Sequence, residues 1–198
     1  MNGHRPFCYD FCILILFGCG VIALSSYPAW GVEQSTLIAP ERLVSDFEAR
    51  LALARLLSYG DRQLDEALHE YRILLKQHPQ DAQIRLELAR VLVRQRKYSN
   101  AIRQLQILLD QMKPVPAKVY AELGDACLYS GSLTSAIENY RKALEISPAS
   151  GPIQKKLALA LSWNKEHREA LSLLDQLHEK YPSDPEIGRE LVRVYAKT

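Results

Sequence analysis

The sequence predicts an all-α solenoid of about four helix-turn-helix repeats closed by a C-terminal capping helix. Its first sign is a set of four alanines, Ala67, Ala101, Ala136 and Ala170, which follow one another at a nearly constant step. Each alanine also keeps the same company. A large-small pair lies upstream (Leu53-Ala54, Leu88-Ala89, Leu123-Gly124, Leu157-Ala158), and a Tyr or Leu follows one helical turn later (Tyr71, Leu105, Tyr140, Leu174). Finally, a proline ends every unit: Pro79, Pro114, Pro148 and Pro182. A period near 34 with small residues at two fixed places marks paired antiparallel helices, each pair unable to bury its apolar face until a neighbour stacks on it. Such a fold directs the search for function to an extended surface and away from a catalytic pocket.

The first repeat, about 47–81, opens with a helix over 41–58 introduced by Pro40, in which Leu43, Phe47, Leu51 and Ala54 keep helical spacing. Its second helix covers 63–77 after the turn Tyr59-Gly60-Asp61. The step from Leu53 to Ala67 is one residue longer than its counterparts in later repeats, which assigns the extra residue to that turn. In the second repeat, 82–115, the helices fall at 82–95 and 98–111; in the third, 117–150, at 117–130 and 133–146. Pro114 and Pro116 forbid a continuous helix between these repeats and account for the one longer alanine step, from Ala101 to Ala136. The fourth repeat, 151–184, carries helices over 152–164 and 168–181, with Pro152 suited to a first turn. Asp184-Pro185-Glu186 then reads as an N-cap, a first-turn proline and a first-turn acid. The capping helix, 186–196 within 185–197, places Leu191-Val192 in the frame of a fifth first helix, one full period after Leu157-Ala158.

At 198 residues and 47% hydrophobic content the chain has room for one ordinary domain with a continuous core. Its 25 basic and 23 acidic residues nearly cancel, so no long-range field draws it to nucleic acid. Residues 1–31 differ from the rest. The apolar run 11–24 follows His4 and Arg5 and has the length of a signal-peptide core, shorter than a membrane span of about 20 residues. Three readings stay open: a signal cleaved after Ser25 or Gly31, a retained N-terminal membrane anchor, or a lipoprotein signal modified at Cys19. All three export the chain and place it in the periplasm or on a membrane facing it, with 32–40 as linker and 41–198 as the repeat domain. Cys8, Cys12 and Cys19 lie in or beside the apolar run, leaving Cys127 alone. A single cysteine cannot staple the domain, which must be held by packing.

The repeats resemble tetratricopeptide repeats, the third most closely, where Tyr120, Leu123, Gly124, Cys127, Ala136, Tyr140, Ala143 and Pro148 fall in the family's spacing. The resemblance runs from Phe47 to Tyr195, about three quarters of the chain. It implies a right-handed superhelix that holds a peptide or protein partner in a concave groove lined by the first helix of each repeat. The groove-facing frame selects Arg55 and Tyr59; Leu86, Arg90, Val93 and Arg94; Asp125, Leu128 and Tyr129; and Lys155, Leu159, Ser162 and Trp163. Arginine and aromatic side chains dominate interfaces, and this surface has both. Leu51 and Arg55 stand where family members that clamp a chaperone's C-terminal carboxylate carry lysine and asparagine, so that mode is not expected. The phrases Leu56-Leu57-Ser58 and Leu161-Ser162-Trp163-Asn164 are similar to repeats in periplasmic arrays that serve polysaccharide export and envelope assembly.

Enzymatic chemistry finds no support in the sequence. Cys127 sits where first and second helices pack and reads as a buried structural thiol. His69, His78, His167 and His178 lie nine or more residues apart, without the helical spacing that converges on a metal. Asp61, Asp65, Glu66 and Glu70 gather at a helix start, where they favour the positive end of its dipole. No catalytic residue, cofactor or metal site is nominated. The expected function is that of a non-enzymatic scaffold for an envelope protein, with Arg55, Arg90 and Arg94 meeting acidic groups and Tyr59, Tyr129 and Trp163 burying apolar ones. The alternatives are a self-associating structural subunit and an accessory protein that binds a polysaccharide in transit.

Overall fold

The computed structural model describes residues 45–197. The expectations placed on the export segment, its linker, Cys8, Cys12, Cys19 and Leu43 fall outside them. Among the described residues are nine helices and no strand: α1 (Asp46–Tyr59), α2 (Leu64–Gln77), α3 (Ala82–Arg94), α4 (Tyr98–Gln111), α5 (Ala117–Ser130), α6 (Leu133–Ile146), α7 (Gly151–Trp163), α8 (His167–Lys180) and α9 (Pro185–Tyr195). Helix α1 starts later than the periodicity suggests. Ser45 caps it, accepting from the Glu48 amide at 3.1 Å while the Glu48 carboxylate accepts from the Ser45 amide, a reciprocal box that satisfies two orphan donors. Asp81 and Asp184 cap α3 and α9 through side-chain oxygens.

Each helix packs on its chain neighbours, and the odd-numbered helices also pack on one another, α3 on α5, α5 on α7 and α7 on α9. The even-numbered helices pack on odd-numbered neighbours. A two-layer ribbon whose odd helices lie closer together curls toward them, so the first helices form its concave face. Small residues make that approach possible: Ala54, Ala89 and Ala158 on the odd helices and Ala67, Ala101, Ala136 and Ala170 on the even ones are all buried. Gly124 is the extreme case, because a Cβ there would lie 2.6 Å from the Tyr140 ring.

The connections explain the uneven period. Residues 60–63 join α1 to α2, one more than residues 95–97 between α3 and α4, so the extra residue sits in the first turn as expected. Residues 112–116 join α4 to α5, one more than residues 78–81 and 147–150. Arg96, Gly131 and Lys165 occupy the same place in repeats two, three and four, and all adopt the left-handed conformation, with φ of 58°, 86° and 66°. The tight reversals of two or three residues after α3, α5 and α7 take that conformation whichever residue is present, whereas the longer turn after α1 has no residue at positive φ.

The two ends of the ribbon expose apolar side chains. Leu88, Leu123 and Leu157 are buried, whereas Leu53, their counterpart on α1, is half-exposed. Leu56 beside it is 69% exposed, as is Val192 at 70% on α9.

A candidate binding groove lined by the first helices

Along the concave face one pair of repeat positions is joined again and again. Arg55, Arg90, Asp125 and Leu159 follow the large-small leucine by two residues; Glu87, Glu122, Lys156 and Glu190 precede the next such leucine by one. The Arg55 guanidinium grips Glu87 with two donors at 3.0 and 2.9 Å, linking α1 to α3. Arg90 Nε donates to Glu122 at 2.6 Å, linking α3 to α5. Lys156 donates to Asp125 at 2.6 Å, linking α5 to α7 with the polarity reversed. These are rungs of a ladder between successive first helices.

Tyrosines on the second helices reinforce the first and third rungs. The Tyr71 hydroxyl donates to Glu87 at 3.1 Å and the Tyr140 hydroxyl to Asp125 at 2.7 Å. Burial and the neighbouring Glu87 carboxylate push the Tyr71 phenol up to about 12. Burial likewise pushes Tyr140 up, with Asp125 adding to it. Burial works to raise Glu87, but hydrogen bonds from Arg55, Gln83 and Tyr71 outweigh it and hold the carboxyl below its ordinary value.

The predicted groove residues divide into three groups. Arg55, Tyr59, Arg90 and Arg94 come together, lining a cavity of about 350 Å³ with Ser58, Tyr71, Glu87 and Val91. Arg94 donates to the Ser58 and Tyr59 carbonyls and, at 2.7 Å, to Asp61, satisfying the open C-terminal end of α1. Tyr59, Arg94, Tyr129 and Trp163 occupy one repeat position, so they form a row along the groove edge; the three aromatic residues are exposed. The Tyr129 ring stacks on Tyr98 with centroids 6.3 Å apart.

A second group is already engaged inside the chain. Asp125 serves Tyr140 and Lys156, and Lys155 bridges Asp184 at 3.0 Å and Glu186 at 2.7 Å, fastening α7 to the start of α9. Val93 and Leu159 are half-buried.

Leu86 corrects the groove frame. It is 6% exposed and belongs to the core, as do Leu128 and Ser162. Helix α3 is enclosed by α2, α4 and α5, which leaves it a narrower free stripe than a lone first helix would have.

Residues the frame missed are the partners: Glu87, Glu122, Lys156, Tyr71 and Tyr140. Their signal was a pair of opposite charges, nearly one repeat apart, recurring at the same two positions. Cys127 is buried, and burial pushes its thiol up, as expected of a structural cysteine. Asp61, Asp65 and Glu70 meet Arg94, Lys97 and Arg50. No group of acidic, histidine or cysteine side chains able to hold a metal occurs among the described residues.

Family models of the tetratricopeptide repeat match residues 51–102, 86–151 and 128–196. The chain belongs to the tetratricopeptide-repeat family. A curated relative, Superkiller protein 3 of Schizosaccharomyces pombe, is 27% identical over 153 residues; the match takes in 77% of this chain but only 10% of the relative's length. Among solved structures, MamA is similar with a TM-score of 0.64 at 18% identity, over 77% of this chain and 84% of that one. YrrB, described as a TPR protein with an unusual peptide-binding site, is similar with a TM-score of 0.62 at 20% identity, over 77% of each chain. At these identities the likeness to the tetratricopeptide-repeat structures is one of fold. Tetratricopeptide repeats are in general protein-interaction scaffolds, consistent with a concave face built from interlocked side chains.

Proposed function

We propose that the protein is a non-enzymatic adaptor of the cell envelope, exported through its N-terminal segment, 1–31, which holds a segment of a partner protein against the first-helix face. The observation that carries this reading is the row Tyr59, Arg94, Tyr129 and Trp163, in which one repeat position presents a large aromatic or guanidinium group, more than a third exposed, four times over. Large amphipathic side chains on a rigid frame bind at low entropic cost. The arginines act differently from the simplest expectation. Arg55 and Arg90 brace the groove, while Arg94 holds the exposed Asp61 and can exchange it for a partner's carboxylate, since exposed ion pairs are worth only about 0–1 kcal/mol. The tagged full-length chain, used as bait in its own envelope extract, is expected to retain a protein that the Arg90→Ala, Arg94→Ala, Tyr129→Ala, Trp163→Ala variant loses. Equal recovery by both baits, with the variant's melting curve intact, would refute the reading.

A second reading rests on the ends of the ribbon. Leu53 and Leu56 at one end and Val192 at the other are exposed apolar groups on single helices, a feature of subunits that stack on one another. Sedimentation at rising concentration distinguishes it: a partner-free oligomer lost on Leu56→Glu or Val192→Glu supports it, and a constant monomer excludes it.

A further inference from the structure

The ladder stops at its fourth rung. Between α7 and α9 the position held by Arg55, Arg90 and Asp125 carries Leu159, which has no charge to offer Glu190. Glu190 turns instead to Arg193 on its own helix, accepting at 2.8 Å. The second-helix position that supplies Tyr71 and Tyr140 carries Leu174, so no phenol ring reaches in from behind. Both groups that close the first and third rungs are missing here together.

At this rung a cavity of about 260 Å³ lies between α7 and α9. Leu159, Leu174, Ile187 and Pro152 supply its apolar lining, and Lys155, Lys156, Glu186 and Glu190 the polar part. Three properties define what fits. Its volume lies just below the roughly 300–1,000 Å³ of sites for whole small-molecule ligands, so it suits a single side chain. Its lysines and glutamates are equal in number and already paired, Lys155 with Glu186, Lys156 with Asp125 and Glu190 with Arg193, so no net field recruits a charged group. Its wall carries Leu174 at the position where repeats one and three place a tyrosine ring of their own, Tyr71 and Tyr140.

We propose that this cavity receives an aromatic side chain, Phe or Tyr, from the partner polypeptide, which makes the fourth repeat the anchor point of the groove. The inference rests on the adaptor reading and adds to it the place and the residue type.

The chain supplies its own means of closing the site. Leu159→Arg installs at the fourth rung the residue of rungs one and two, opposite Glu190. Leu174→Tyr brings in the ring of repeats one and three. The probes are blocked pentapeptides of sequence Gly-Ser-X-Ser-Gly with X as Ala, Leu, Phe or Tyr, titrated into the methyl-labelled full chain and read by NMR. The Phe and Tyr peptides are expected to shift the Leu159, Leu174 and Ile187 methyl signals and to bind about tenfold or more tightly than the Ala peptide. That preference should vanish in either variant, with thermal melts showing that each is folded. Shifts located elsewhere, equal response to Ala and Phe, or unchanged Phe binding in a folded variant would overturn the proposal; the parent titration decides it even if a variant does not fold. Leu159→Arg also enters the capture experiment. If it keeps the partner that the quadruple alanine variant loses, the pocket fails as anchor while the groove reading stands. If the quadruple variant loses nothing while the Phe peptide seats in the cavity, the adaptor reading fails and the pocket remains.

Discussion

Gly124→Ala puts two effects of opposite sign in competition, and the structure decides between them. Alanine is favoured over glycine inside a helix by roughly 1 kcal/mol, so on an open face of α5 the change would stabilise the protein. At this position the new Cβ lies 2.6 Å from Tyr140 Cε1 and 2.7 Å from Cδ1. Those atoms belong to a ring, not to the far end of a flexible chain, and the ring is fully buried. It is also tethered, since its hydroxyl donates to Asp125 at 2.7 Å. Overpacking of this kind costs about 1–3 kcal/mol, and losing the tether adds about 1 kcal/mol. After the helical gain is subtracted, the expected result is a loss of about 1–3 kcal/mol. In repeat one, where Ala54 stands at the position of Gly124, the Tyr71 hydroxyl instead reaches across to Glu87 on α3. Urea denaturation followed by circular dichroism measures the effect. Gly188→Ala on α9 is the control, with nothing within 4 Å of its Cβ, and should be neutral or stabilising. Adding Tyr140→Leu to Gly124→Ala recreates the Ala-Leu combination of repeats two and four and should recover about 1 kcal/mol or more. A Gly124→Ala protein as stable as its parent would refute the reasoning.

Arg96→Gly and Lys165→Gly should each stabilise by about 0.5–1 kcal/mol, since both residues stand at positive φ where side chains cost about 1–2 kcal/mol and glycine's unfolded freedom takes part of it back; denaturation midpoints that fall would contradict this. Glu87 is held below its ordinary value of 4.5, so its contribution to stability is present above that pH and lost as pH falls through the folded-state value. Glu87→Gln should therefore lower stability at pH 7 by about 1–2 kcal/mol and converge with the parent only as the pH falls below the lowered folded-state value, whereas a constant difference across the titration would exclude the rung as its source. Cys127 should resist a thiol reagent in the native chain and react on unfolding, and rapid native labelling would show that the α5–α6 packing is open.

The helices are legible wherever the sequence punctuates them. Helices α4, α5 and α6 fall at 98–111, 117–130 and 133–146 as expected, because Pro114, Pro116 and the Gly131-Ser132 pair fix their ends. The periodicity starts α1 too early, although Ser45 and Glu48 spell a capping box, because the apolar spacing continues upstream through Leu43. The groove is legible in outline only. A repeat frame identifies which helix faces the concavity, but burial depends on how closely the neighbouring helices approach, which removes Leu86. Cations such as Arg55 and Arg90 look free in a single-repeat frame, which does not show the carboxylate on the next first helix that meets them. The same frame, followed from one repeat to the next, exposes the break at Leu159.

The central claim is that partners meet the first-helix face. Site-specific photo-crosslinking reads this most directly, with p-benzoylphenylalanine placed at Tyr129 or Trp163 on the groove edge and, for comparison, at Glu138 on α6 or Ser172 on α8, both exposed. A protein crosslinked from the two groove positions and absent from the two second-helix positions is the predicted outcome. Crosslinks confined to α6 and α8, or equal from all four, would contradict it.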